Sequence, residues 1–301
     1  MTAYQPTLKQ LQYLTALHIH GHFGRAAEAC FVTQSTLSAG LAELESLLGV
    51  RLVERNRRVV RFTPMGERVV AKAYDVLREA DDLVGLTVGG DKPLAGPLRL
   101  GVIPTIAPYL LPRVMGHVRG QWPELKLQLR EEMSGPATEA LARGMLDAVL
   151  LALPWETPGL SVMPLFEDPF FLVFRAGDLP DPPPAVAPAS IDPHNLLLLE
   201  DGHCLKDQAL SACGKPELRA DPAHRGTSLV TLVEMVAGGL GQTLVPKLAL
   251  DAGLIAHTRL IARPVAGNAS RTVALAWRQG SPREAEFRLL GDTILAGLAL
   301  P

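Results

Sequence analysis

The chain has 301 residues, of which 48% are hydrophobic and 20% charged, and a formal net charge of -2. That balance fits a soluble globular protein with core enough for about two domains, and the net charge gives no global sign of nucleic-acid binding. The opening MTAYQPTLKQLQYL has no basic segment followed by an apolar one, and no apolar run approaches the ~18 residues of a membrane span. No membrane is expected, and the expected compartment is the cytosol, where thiols are kept reduced and a disulfide is usually transient.

Residues 8–20 place Leu8, Leu11, Leu14 and Ala16 or Leu17 at helical spacing, stopped by Gly21. A short second helix is expected from Arg25 to Cys30. Phe31-Val32-Thr33 then breaks the pattern, and Thr33 is placed to cap a third helix reaching Leu47, with Leu37, Leu41, Leu44 and Leu48 as its apolar positions. Two short helices about a tight turn form the pattern of a helix-turn-helix, whose second helix presents its N-terminal residues to base edges in the major groove. Thr33, Gln34, Ser35, Thr36 and Ser38 are therefore the candidate DNA-reading residues. Ala39-Gly40 follows them, and a glycine inside a helix costs about 1 kcal/mol relative to alanine.

From Arg51 to Lys72 bases outnumber acids, which are only Glu54 and Glu67. Leu52 to Phe62 sets β-branched residues around Asn56-Arg57-Arg58, which predicts a wing whose Arg55, Arg57 and Arg58 meet phosphates without reading sequence. Thr63 and Pro64 have the preferences of a helix start. Val69, Ala73, Val76, Ala80 and Leu83 then recur by four and three in a helix reaching Val88, as in a dimer seam or the buried stripe of a single helix. Gly89 to Pro97, dense in Gly and Pro, reads as a hinge.

Beyond the hinge, strands are expected at Leu98–Val102, Leu125–Glu131 and Ala148–Leu153, with helices at Ile106–Arg119 and Thr138–Gly144. This alternation predicts α/β architecture with mostly parallel pairing. Asp178 to Pro188, rich in proline, is a surface loop.

The stretch LLLLEDGHCLKDQALSACG, residues 196–214, holds two of the three cysteines. In one continuous helix, Cys204 and Cys213 would lie on opposite faces, roughly 13 Å apart along the axis, whereas a disulfide needs Cα atoms within about 7 Å. In a looped segment they could meet, so forming the bond would select one local conformation and breaking it would allow another. Competing readings are two small buried hydrophobes, a metal site drawing on His203, His194 or His224, which lacks a C-x-x-C or H-x-x-x-H pair, and a structural disulfide, which the compartment disfavours. Cys30 reads as a core thiol.

The run HFGRAAEACFVTQSTLSAGLAELESLLGVRLVERNRRVVRFTPMGERVV resembles the DNA-binding domain of LysR-type transcriptional regulators over essentially its whole length. The resemblance implies an all-α winged helix-turn-helix at residues 1–62, a linker helix at 63–88 that dimerises, a hinge at 89–97 and a regulatory domain at 98–301. That domain is expected to be α/β and two-lobed, like a periplasmic binding protein, with lobe I at 98–167 and 271–301 and lobe II at 168–270. Most such regulators bind a small effector between the lobes, which is the alternative reading here, with the cysteines incidental.

Three separated segments favour the peroxide-sensing branch instead: IPTIAPYLLP at 103–112, EDGHCLKDQA at 200–209 followed by Cys213, and Arg271-Thr272 through Ala276-Trp277-Arg278. The likeness implies that Cys204 meets hydrogen peroxide and Cys213 resolves the resulting sulfenic acid. Thr105 and His203 would position and polarise the peroxide, Arg271 would support the thiolate and the leaving oxygen, and Ser134 would supply a small hydroxyl that holds water; His224 falls outside this site. Because a thiolate is the nucleophile, a lowered Cys204 pKa is expected. The partners implied are double-stranded promoter DNA, RNA polymerase, further copies of the chain in a homotetramer built as a dimer of dimers, and a thiol reductant such as a glutaredoxin or thioredoxin. No metal, no cofactor and no enzymatic turnover are expected; a thiol peroxidase with a vestigial helix-turn-helix is the rival from another class.

Overall fold

A computed structural model describes residues 5–55, 60–85, 92–178, 182–212, 214 and 225–299. The chain divides into two compact units, Met1–Thr87 and Val88–Pro301, each with its own core.

In the first unit, helix α1 (Leu8–His20) is opened by a capping box. The Thr7 hydroxyl accepts from the Gln10 amide while the Gln10 side chain accepts from the Thr7 amide. Leu11, Leu14 and Leu17 are buried and Leu8 stays exposed. Helix α2 (Phe23–Ala29) starts two residues before the expected Arg25, because the His22 ring caps it: Nδ1 accepts from the amides of Gly24 and Arg25. Cys30 is the C-cap of α2 and is half-buried, so it borders the core rather than filling it. Helix α3 (Gln34–Leu48) opens at Thr33, whose hydroxyl accepts from the Thr36 amide at 3.2 Å. Its Leu37, Leu41 and Leu44 are buried, whereas Leu48 is exposed. A Cβ on Gly40 would sit 2.8 Å from the Tyr13 ring, so the close approach of α1 accounts for the glycine inside the helix.

The wing is an antiparallel pair, β1 (Val53–Arg55) with β2 (Val60–Phe62). It is tied to α3 by Glu45, whose Oε1 accepts from the Leu52 and Val53 amides. Helix α4 (Pro64–Gly85) follows, with the Thr63 hydroxyl accepting from the Gly66 amide at 2.9 Å. A Cβ on Gly66 would meet the Leu52 carbonyl oxygen at 2.1 Å, which explains why Thr-Pro-x-Gly ends in glycine. The expected apolar seam divides. Ala73 faces the core with Val70 and Tyr74, while Val76 and Leu83 are 46% and 67% exposed.

The second unit begins with β3 (Gly96–Val102), α5 (Ala107–Gln121), β4 (Leu125–Glu131), α6 (Ser134–Ala142), β5 (Ala148–Leu153) and β6 (Leu160–Arg175). It continues through β7 (Leu196–Leu199), α7 (Cys204–Ala212), β8 (Arg225–Gly226), α8 (Leu229–Ala237), β9 (Gln242–Pro246), α9 (Lys247–Asp251) and β10 (Leu260–Pro264). Strand β11 (Ser270–Arg278) and helix α10 (Glu284–Leu298) complete it. Helix α6 starts four residues before the expected Thr138, since Pro136 lies in the first turn, where a missing N–H breaks no helical bond.

Among the described residues nine strands form one sheet in the order β4-β3-β5-β11-β6-β9-β7-β8, with β10 on β6. The pairing is mixed rather than mostly parallel. β3 runs parallel to β4 and β5, and β7 to β8 and β9, but β6 and β11 are antiparallel to every strand they touch. These two long strands carry the chain across the sheet and back. Up to Pro169 β6 pairs with β11, and from Phe170 onward it pairs with β9.

Candidate functional site: a buried thiol beside an arginine carboxylate pair

Cys204 is the first residue of α7 and is buried. The strand before it, Leu196–Leu199, is buried throughout, and the turn at Asp201-Gly202 returns the chain so that α7 starts against the sheet. The Ser134 side chain, at the first position of α6, and the charge of the Arg271 guanidinium both act on the Cys204 thiol. Backbone groups of Cys204 itself and of Ala152 also favour the thiolate. One turn later Gln208 is buried, and its Nε2 donates to the Ala152 carbonyl at 2.9 Å, pinning α7 to the end of β5.

Arg271 is 1% exposed, and a guanidinium that deep requires a counter-ion. Asp168 supplies it: the two residues sit directly opposite in the antiparallel register of β11 and β6. Arg271 Nε donates to Asp168 Oδ2 at 3.0 Å, and Nη2 lies 3.0 Å from the same oxygen. The other carboxylate oxygen accepts from the Leu248 amide, in the first turn of α9, at 2.8 Å. Arg271 then reaches Thr105, donating from Nη1 to the hydroxyl at 2.8 Å and from Nη2 to the carbonyl at 3.0 Å. Thr105 lies in the turn between β3 and α5 and is buried. A hydroxyl that accepts from Arg271 keeps its own proton to donate. Nearby Tyr109 has its phenol pushed up to about 12 by burial, with the Arg271 charge pulling the other way, so it stays protonated.

The electrostatics of the thiol run against expectation. Burial pushes the Cys204 pKa up; the Ser134 hydrogen bond, the Arg271 charge and the backbone groups pull it down, but burial wins. A lowered pKa is thus corrected to a raised one, because a sulfur this deep in apolar surroundings loses more solvation than these neighbours restore. His203, buried immediately before α7, has its imidazole pulled down by desolvation, with Glu200 acting in the opposite sense.

Arg271 thus joins Thr105 by hydrogen bonds and acts with Ser134 on Cys204, and His203 precedes Cys204 in the chain. Cys213 lies outside the described residues, as do Arg57, Arg58 and the side chain of Arg55. In the first unit, Thr33, Gln34, Ser35 and Thr36 are exposed at the opening of α3, whereas Ser38 is half-buried and lines a small crevice with Phe23 and Leu41. Asp168 and Gln208 were not singled out from the sequence. The signal for Asp168 was a pair of acids, Glu167-Asp168, inside an otherwise apolar strand, one of which alternation must bury.

Residues 8–67 match the bacterial regulatory helix-turn-helix proteins of the lysR family, and residues 91–299 match the LysR substrate binding domain. The chain belongs to the LysR family. LysR relatives include the HTH-type transcriptional regulator EstR of Acinetobacter baylyi, 43% identical over 290 residues, with 96% of each chain covered. A probable hydrogen peroxide-inducible genes activator of Streptomyces viridosporus is 41% identical, over 96% of this chain and 94% of that one. Among solved LysR-family structures, full-length OxyR from Pseudomonas aeruginosa, carrying a Cys-to-Asp substitution, is 37% identical with a TM-score of 0.77, over 97% of this chain and 95% of that one. The protein is accordingly a DNA-binding transcriptional regulator of LysR type that closely resembles OxyR, with a helix-turn-helix unit and a two-lobed regulatory unit. No helix among the described residues is long and apolar enough to cross a membrane.

Proposed function

We propose that this regulator senses hydrogen peroxide through Cys204 and Cys213 and converts their disulfide into a change of promoter contacts. The observation that carries the reading is the buried Cys204 thiol at the start of α7, acted on by Ser134 and by the charge of Arg271, which in turn holds Thr105. Sulfur attacks one peroxide oxygen, the S–O bond forms as the O–O bond breaks, and the departing oxygen leaves as water with the thiol proton. The thiolate is the nucleophile, so the raised pKa keeps the reactive form a minor one; the proton released is available to the leaving oxygen, while Thr105, His203 and Arg271 hold the peroxide and stabilise developing negative charge. The sulfenic acid then condenses with the Cys213 thiol, releasing a second water.

The second step carries the signal. A helix from Cys204 to Ala212 advances the chain roughly 12 Å, and one further peptide spans about 3.8 Å. With α7 intact, the two Cα atoms cannot approach closer than roughly 8 Å, beyond the ~7 Å limit of a disulfide. Oxidation therefore demands that α7 unwind. A thiol reductant such as a glutaredoxin or thioredoxin restores it, so the chain is a switch rather than an enzyme. It acts in the cytoplasm on double-stranded promoter DNA and RNA polymerase as a homotetramer, a dimer of dimers pairing through the exposed seam of α4, with domain limits at 1–62, 63–88, 89–97 and 98–301. Gln34, Ser35 and Thr36 meet base edges with Thr33 and Ser38 beside them, and Arg55, Arg57 and Arg58 meet phosphates.

One observation favours a second reading, a small organic effector bound between the lobes: the relative at 43% identity is named EstR, without reference to peroxide. Thiol labelling after one equivalent of peroxide separates the two. Loss of both Cys204 and Cys213 from the labelled pool is expected; if both still label, the redox reading fails.

A further inference from the structure

Helix α2 ends in a hydrogen-bonding pattern that usually selects glycine. The Phe31 amide donates to the Glu28 carbonyl at 3.0 Å and the Val32 amide to the Ala27 carbonyl at 3.0 Å, a Schellman motif with Cys30 as C-cap. That motif needs a left-handed residue just past the cap, and Phe31 fills the place at φ +55°. α1 and α3 place Gly21 and Gly49 in the same left-handed region at their ends, at φ +58° and +67°. A Cβ in this region is sterically disfavoured, and an aromatic residue carries no short polar group to offset it, as asparagine does.

The ring gains nothing inside its own unit. Phe31 is 97% exposed, the most exposed large apolar residue described, while its neighbour Val32 packs against the core. A residue that breaks the local backbone preference and buries no surface points to an external contact. Its position indicates which contact. Phe31 stands two residues before Thr33, the cap of α3, and adjoins the exposed polar run Thr33, Gln34, Ser35 and Thr36. In a helix-turn-helix that end of the second helix enters the major groove.

We propose that Phe31 is itself a DNA contact, a non-ionic one, in which the ring packs on a thymine methyl at the edge of the major groove. Apolar side chains read that methyl group, which among the bases only thymine carries. The contact adds affinity without neutralising a phosphate, so it leaves the salt dependence of binding unchanged. The inference rests on the DNA-facing role of the α3 N-terminus.

Phe31→Asn separates function from folding, because asparagine suits the left-handed position better than phenylalanine. In the full-length protein we expect an unchanged or raised melting temperature and an unchanged oligomeric state. Affinity for an operator duplex, measured by fluorescence anisotropy, is expected to weaken about tenfold, with the same slope of log K against log salt. Replacing operator thymines by deoxyuridine is expected to weaken the wild type and leave Phe31→Asn unaffected. Gln34→Ala is the control for the DNA face. If Gln34→Ala weakens binding and Phe31→Asn stays within twofold of wild type, the proposal is overturned. It is also overturned if Phe31→Asn dissociates the oligomer, which would make the ring a subunit contact, or if deoxyuridine weakens both proteins equally. Loss of binding by neither variant would instead remove the DNA-facing role of α3, and the inference with it.

Discussion

Asp168 shows how one carboxylate organises the candidate site from outside it. It neutralises Arg271 from the facing strand and holds the first turn of α9 through Leu248, so Arg271 is fixed before it reaches Thr105. Asp168→Asn removes the charge but keeps the shape, leaving a buried guanidinium without a counter-ion. It should destabilise the regulatory unit by about 3–5 kcal/mol, read as a lower urea midpoint; a midpoint equal to wild type would mean that Arg271 finds another partner. Ser134→Ala acts on the thiol instead. It removes the side-chain hydrogen bond that opposes burial, so the Cys204 pKa rises further and the reaction with peroxide slows by about tenfold for each pKa unit gained. Stopped-flow oxidation measures this directly, and an unchanged rate would place Ser134 outside the reaction. His203 gives the pH dependence. Its pKa in the folded chain lies below the free value of 6.5, so below that pH the unfolded chain binds the additional proton and stability falls as pH drops from 6.5 toward the folded value. Melting curves between pH 7.5 and pH 5.5 should show this loss, and His203→Gln should flatten it.

At the level of elements, the proposed switch bears on α7. It carries Cys204 at its first position and is held to β5 by Gln208, yet its nine residues span too great a length for a disulfide to a residue just beyond them. Cys213→Ser should still form a sulfenic acid at Cys204, trapped by a dicarbonyl probe, but fail to hold the oxidised conformation; a wild-type footprint shift in this variant would make the sulfenate alone the switch. Most of the elements were legible in the sequence, because hydrophobic spacing and capping residues act locally. Thr33 and Thr63 announced their helices, and Leu125–Glu131 and Ala148–Leu153 emerged with the expected limits. The misplaced starts have local causes too: a histidine ring caps α2, and Pro136 is accommodated in the first turn of α6. Strand direction was not legible. Whether β11 runs with or against β5 depends on which side of the sheet the chain returns from, and no residue within β11 encodes that.

For the whole molecule, the site draws its residues from separate parts of the fold: Thr105 follows β3, Ser134 opens α6, Asp168 and Arg271 face each other on the crossing strands, and Cys204 opens α7. The sequence nominated four of these five through family likeness. Asp168 stayed hidden because its role comes from pairing across 103 residues of chain. The raised Cys204 pKa stayed hidden because desolvation is a property of the assembled core. Both facts bear on the same claim, that oxidation acts by dismantling α7 within an otherwise fixed sheet. Amide hydrogen exchange over residues 204–212, followed before and after one equivalent of peroxide, tests it most directly. Protection across α7 should be lost on oxidation, retained in Cys213→Ser, and regained on reduction, in step with the promoter footprint. Protection that persists across α7 while the footprint shifts would contradict the account.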